Sequence, residues 1–272
     1  MTASQERVQR VRRIQGRVAS RPVLGRSRRI VLGVAGIVGF LVLWEVAAIL
    51  GWIEPSFASS PSLIWVRAME LSASGDLWPA VLSTARLFAI GFGISLVIGI
   101  SLGIVLGWYR TAKAVLDPWV SILYAAPRIA FIPLIVVWAG IGMGAQIVIV
   151  VINAMFPILI NTAAGVDAID RQHLRVAQSF GATNGEVLRT VALPGAMPII
   201  IAGVRNGMMI ALLGTVVAEY FVGLTGVGGL IFNAGLTLDT SAAFVGAVIL
   251  SLAALVFSAM LNAWQARMDR WR

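Results

Sequence analysis

Five ionisable residues interrupt the long apolar runs of this chain: Glu45, Arg86, Arg128, Arg205 and Glu219. A charge in hydrocarbon is costly, so such side chains pair, face water or meet a ligand. Arg128 is the deepest by sequence. It lies near the middle of the run 116–139, directly after the helix-breaking Pro127, where a side chain has most difficulty reaching an interface. A cation there calls for a carboxylate on this or a neighbouring subunit, a water-filled cavity, or an anion in passage. Glu45, Arg86 and Glu219 fall near the ends of their runs and can snorkel, and Arg205 lies about two turns into its run. Arg128, Pro127, Arg205 and Glu219 are therefore the candidates for lining a path across the membrane.

Other chemistry finds little material. Cysteine is absent and the single histidine, His173, lies in a polar segment, so disulfides, thiol catalysis and His/Cys metal centres are not expected. The few carboxylates form no cluster suited to an integral membrane enzyme. No G-x-x-x-x-G-K-[ST] pattern offers a phosphate cradle, so no cofactor is expected on this chain.

The elements that hold these residues are set by composition. The 272 residues are 59% hydrophobic and 12% charged, with a mean hydropathy of +0.91. A soluble domain carries about 25% charged residues, so this chain lacks the polar surface to fold in water. Crossing hydrocarbon takes about 20 apolar residues, and six runs qualify: 30–50, 81–108, 116–139, 145–164, 197–220 and 242–264. Three parts follow: a basic tail over 1–29, a first span with its following segment over 30–76, and a core over 77–272. The apolar run after the tail is too long for a cleaved signal peptide and reads as a retained anchor.

Charge gives the orientation. Nine of the 21 Lys+Arg precede Ile30, and Arg110, Lys113, the segment 171–189 and Arg267, Arg270 and Arg272 fall on the same side of a six-span topology. The other side holds 51–78, 140–144 and 221–241, with one arginine among them. The positive-inside rule places both termini in the cytoplasm. Although the net charge is +9, no folded basic domain accompanies the tail, so membrane orientation and not nucleic acid accounts for it.

Within the spans, Gly99, Gly103 and Gly107 stand at four-residue spacing and make a smooth helix face, for packing or for a second subunit. Pro127 and Pro133 interrupt the third span and free backbone carbonyls that protein or water must satisfy.

Between spans four and five lies a polar, helix-competent connector of about 165–194, on the cytoplasmic side by the charge rule. Residues 171–180 predict a short helix, Gly181 a turn, and 184–191 a second helix with Asn184 as N-cap and Leu193-Pro194 as its stop. Two short helices around a glycine can enter a cleft on a partner, with small Ala177 allowing close approach and Phe180 acting as an apolar anchor. His173 reads as a solvated surface residue.

The segment RVAQSFGATNGEVLRTVALP, 175–194, resembles the coupling loop of binding-protein-dependent ABC importer permeases: EAA, three residues, G, nine residues, I, one residue, LP. Ala177, Gly181, Val191, Leu193 and Pro194 match, whereas Arg175 and Val176 stand where Glu and Ala are usual. The resemblance extends over 77–272. LDPWVSILYAAPRIAFIPLIVVWAGIGMG, FPILINTAAGVDAID and VVAEYFVGLTGVGGLI look like the nitrate/sulfonate/taurine branch. The resemblance implies an all-α integral membrane protein of six transmembrane helices with the type I ABC importer permease fold, in a bacterial inner membrane. It implies coupling through Arg175, Val176, Ala177, Phe180, Gly181, Val191, Leu193 and Pro194 to two cytoplasmic ATPases, which carry the ATP and Mg. A second permease copy and an extracytoplasmic solute-binding protein complete the implied complex. Related permeases carry sulfonates, taurine or nitrate, or neutral and cationic precursors of thiamine and riboflavin, and the lone Arg128 tilts the expectation toward an anion. A secondary transporter, the main rival, would show repeats and midplane carboxylates; neither is evident.

Overall fold

The computed structural model describes residues 26–268. The basic tail up to residue 25, and Arg270 and Arg272 at the other terminus, lie outside the described residues. The chain divides into two units, Met1–Ile53 and Glu54–Arg272. In the first, α1 (Arg26–Ile49) is apolar on every side, with Leu32, Ile37, Phe40 and Leu43 all exposed. This is the surface of a helix whose solvent is lipid.

The second unit contains α2 (Pro61–Ala73), α3 (Leu77–Trp108), α4 (Arg110–Ala125), α5 (Ile132–Ala139), α6 (Met143–Asp167), α7 (Arg171–Ser179), α8 (Asn184–Val187), α9 (Leu193–Ala218), α10 (Gly226–Leu236) and α11 (Thr240–Met268). No strand occurs among the described residues. Among the described residues five helices are long and apolar enough to cross a membrane, and the bent pair α4 and α5 makes a sixth crossing if it serves as one span.

At the centre, α6 is clasped between α3 and α9. Without a hydrophobic drive between helices in lipid, close packing needs small residues. On α3 they are Gly91, Gly99, Gly103 and Gly107. A Cβ added at these positions would stand 2.6 Å from Val150, 2.9 Å from Ile158, 2.5 Å from Thr162 and 2.7 Å from the Ala163 carbonyl. The glycine face expected from the sequence is thus filled by α6 of the same chain. On the other side, Gly203 and Gly207 of α9 press against Asn161 and Ile158.

The third span is not one helix with interruptions. Proline disfavours helical geometry in the residue before it, and Ala126 is accordingly extended, with φ −64° and ψ 142°, ending α4. A short turn, Arg128–Phe131, follows and α5 departs at 88°. Pro133 does not break this arm. It occupies the first turn of α5, where its missing N–H costs nothing.

Ion pairs pin the two ends of the unit. Lys113 of α4 meets Asp167 of α6 at 2.8 Å near the α7 end. At the other end, Arg67 of α2 meets Asp239 at 2.8 Å, and Asp239 also caps α11 by accepting from the Ala242 N–H at 2.9 Å. Glu70 first, then Asp239, holds the Arg67 guanidinium above its ordinary value.

Candidate functional site

The connector between α6 and α9 folds as two helices around a glycine. Asp170 opens α7 by accepting from the Gln172 N–H at 2.8 Å. The helix closes when Gly181, at φ +87°, donates to the Gln178 carbonyl at 2.9 Å and Ala182 donates to that of Ala177 at 3.2 Å. This is a Schellman closure, and its left-handed position favours glycine.

The hairpin departs from two local expectations. The N-cap of α8 is Thr183, not Asn184. Thr183 and Glu186 form a capping box, with the Thr183 N–H donating to Glu186 Oε2 at 2.7 Å. The Asn184 Oδ1 instead accepts from Gln178 Nε2 at 3.2 Å, tying α8 to α7. Nor is Leu193-Pro194 a stop. A wide π turn, Leu188–Ala192, carries the chain directly into α9, and Pro194 sits in the first turn of that helix. Because a proline ring clashes with the carbonyl four residues back, the widened turn is where the chain accommodates it.

Buried Val187 and Ala192 anchor this hairpin to the body of the unit. Its outer surface is open: Phe180 is 87% exposed and Val176 56%. Arg175, Gly181, Pro194 and His173 are exposed, and Ala177, Val191 and Leu193 are half-buried. Of the eight coupling candidates, Arg175, Val176, Ala177, Phe180 and Gly181 lie on α7 and the turn that closes it, whereas Val191 lies in the π turn and Leu193 and Pro194 in the first turn of α9.

A second cluster forms at the bend after Pro127. Arg128 is half-buried, donates from Nη1 to the Asn153 carbonyl of α6 at 3.2 Å, and lies 5.2 Å from the ring centre of Tyr124. No carboxylate is within ion-pairing distance among the described residues. The guanidinium borders an apolar cavity of about 310 Å³ that Phe131, Ile149 and Phe156 also line. Of its five N–H donors one finds the main chain, leaving a cation and several donors at the edge of an apolar space.

Arg205, half-buried on α9, is not part of that cavity lining. Glu219 is elsewhere too, and it does not snorkel. It is fully buried where α9 ends in a second π turn, Glu219–Gly223. Its Oε1 and Oε2 lie 2.8 and 3.0 Å from the Thr84 hydroxyl of α3, and Oε2 accepts the Gly228 N–H at 2.9 Å. Thr84 Oγ1 in turn accepts the Val227 N–H at 2.8 Å. The first N–H groups of α10, which no helix can satisfy internally, are thus capped by side chains from two other helices. Gly226, at φ +68°, lets the backbone pass over the carboxylate, since a Cβ there would collide with Glu219. Thr84, Tyr124 and Asn153 were not singled out from the sequence. The glycine density over 223–229 was the available sign that backbone and side chain approach closely there.

Residues 95–272 match the family described as binding-protein-dependent transport system inner membrane component. The chain belongs to this family. Among curated relatives, it is 28% identical to the taurine transport system permease protein TauC of Escherichia coli (strain K12), over 90% of this chain and 91% of that one. It is 33% identical to the putative aliphatic sulfonates transport permease protein SsuC of the same strain, over 79% and 82%. It is 31% identical to the riboflavin transport system permease protein RibX of Chloroflexus aurantiacus (strain ATCC 29366 / DSM 635 / J-10-fl), over 85% and 86%. The fold is shared with the MetNI methionine ABC transporter in inward-facing crystal forms, at a TM-score of 0.61 and 21% identity, covering 70% of this chain and 94% of that one. This ABC importer permease is a multi-pass membrane subunit of a bacterial transporter, and ATP hydrolysis belongs to a partner ATPase, not to this chain.

Proposed function

We propose that this permease passes a small oxyanion of the sulfonate or nitrate type into the cytoplasm, through a pathway shared by two copies of the chain. The α7–α8 hairpin, on the cytoplasmic side with both termini, is the part that two ATPase subunits grip. An extracytoplasmic solute-binding protein delivers the substrate. The exposed Phe180 and Val176 on a hairpin otherwise fastened to the body support the docking role.

The observation that carries the substrate class is Arg128, a cation inside the transmembrane unit with no carboxylate partner among the described residues. Two symmetry-related copies would set two positive charges along one path, where low dielectric strengthens their pull on an anion. Family membership alone does not choose the substrate, because the relatives include a riboflavin permease as well as sulfonate and taurine permeases. A neutral vitamin precursor would offer a guanidinium hydrogen-bond acceptors but no charge to balance it, and a cationic one would be repelled. Since affinity resides mainly in the solute-binding protein, Arg128→Ala should lower the rate of uptake more than the apparent affinity. Uptake of taurine, alkanesulfonates and nitrate by cells carrying wild type or Arg128→Ala tests this. Unchanged anion uptake, or preference for a riboflavin- or thiamine-type substrate, would overturn the assignment.

A further inference from the structure

A cleft of about 570 Å³ opens behind α7, between that helix and the adjoining ends of α3 and α6. Three arginines line it: Arg110 from the start of α4, and Arg171 and Arg175 from α7. The acidic residue in the lining, Asp167, already pairs with Lys113 at 2.8 Å, and nearby Asp170 is engaged in capping α7. The Asp170 carboxylate keeps its charge while it caps, so against three arginines the cleft is left with a net charge of about +2. Val166, Ile169 and Leu174 make an apolar strip in a lining that is otherwise mainly polar. Its rim carries Trp108 and Tyr109, the aromatic pair that ends α3.

Basic groups over an apolar strip, beside Trp and Tyr at the end of a membrane span, match the layering of a phospholipid at its headgroup. Helix spacing separates most of this surface from the docking surface, Arg175 being the one coupling candidate that falls on the cleft side. Arg171, Leu174, Arg175 and Gln178 recur every three or four residues and share the face of α7 toward the cleft, while Val176 falls on the other side. An acidic segment of the ATPase would satisfy the arginines but would leave the apolar strip and the aromatic rim unexplained. We propose that the cleft binds the phosphate of an anionic phospholipid, held by Arg110, Arg171 and Arg175 with the glycerol region against Leu174 and Ile169. One face of the coupling helix thus rests on a lipid while the other is presented to the ATPase. The proposal is independent of the substrate assigned above.

Native mass spectrometry of the full chain, titrated with phosphatidylglycerol or phosphatidylcholine, provides the test. Wild type should bind the first phosphatidylglycerol about tenfold more tightly than phosphatidylcholine, a modest outcome for headgroup contacts with two or three arginines. Arg110→Gln combined with Arg171→Gln should abolish that preference and leave phosphatidylcholine binding unchanged. Arg110→Lys combined with Arg171→Lys, which keeps the charge, should retain it. Equal binding of the two lipids by wild type would overturn the proposal, as would a preference that survives the Gln pair or is lost in the Lys pair. Displacement of the lipid by inorganic phosphate would overturn it too, because the cleft would then be a site for a free anion. So would loss of ATPase co-purification in the Gln pair with lipid preference intact, which would give the cleft to the ATPase.

Discussion

The hydroxyl of Thr84 lies 2.8 and 3.0 Å from the two carboxylate oxygens of Glu219, joining α3 to the end of α9 across 135 positions of sequence. That carboxylate also receives the Gly228 N–H, so three helices meet on one buried side chain. Thr84→Val would remove the hydroxyl and keep the shape, leaving a buried carboxylate and the Val227 N–H short of partners. The expected loss is about 1–3 kcal/mol, read as a lowered Tm of the purified permease. Gly226→Ala, whose Cβ would collide with the same carboxylate, should lower Tm as well. Unchanged Tm in both variants would show that the three-helix junction does not matter to stability.

A second prediction concerns the clasp around α6. The Gly103 Cα is so close to Thr162 that a Cβ would stand 2.5 Å from the threonine Cβ. Overpacking of this kind typically costs 1–3 kcal/mol, so Gly103→Val should destabilise the protein by about that amount. Gly93, with open space around it, gives the control: Gly93→Ala should leave Tm unchanged or raise it slightly, since alanine favours the helix. Thermal melts in the same detergent compare the two.

The hairpin supplies a third. Phe180→Ala removes the most exposed apolar side chain of the element without touching its fold, so membrane insertion should be normal. ATPase co-purification should weaken by about 2 kcal/mol or more if Phe180 is an anchor of the interface. Gly181→Asp adds bulk and charge at φ +87° and should uncouple ATP hydrolysis from transport. Normal transport and normal stimulation of the ATPase in either variant would rule out this docking surface.

Stoichiometry gives the fourth. The transporter purified with all its subunits is expected to contain two copies of this chain, counted by native mass spectrometry. A functional complex with a single permease chain would exclude a shared pathway, and one paralogous partner would make the pair a heterodimer. The Gly99, Gly103 and Gly107 face cannot be the contact between copies, because α6 already fills it.

Local features were legible in the sequence where their cause is local. Hydropathy located the apolar runs, Pro127 marked the break before Arg128, and Gly181 marked the turn between the short helices. The 88° angle at that break was not legible, since it depends on how the two arms seat against α6. Thr183 and Asn184 are both good caps, and the Glu three residues after Thr183 was the sign that decides between them. Glu219 was read as free to reach an interface because Thr84 and Gly228, its donors, come from other segments that periodicity cannot join to it. The partner of the glycine face on α3 was hidden for the same reason.

The length of α3 bears on where these charges live. Its 32 residues reach about 48 Å at 1.5 Å each, well beyond the roughly 30 Å of a bilayer's hydrocarbon. Counted back from Trp108, an aromatic of the kind that sits at an interface, the acyl chains end after about 20 residues, near residue 88, and an ordinary tilt moves that edge by only about one residue. The overhang contains Thr84 and Arg86, and through Thr84 it holds Glu219. What hydropathy scores as one uninterrupted span is thus longer than a single crossing requires, with residues to spare at its Leu77 end. A bilayer thick enough to engulf this overhang would draw the exposed Arg86 into oil, while Glu219 stays sheltered by protein, so membrane thickness itself becomes a condition for this permease to stand correctly.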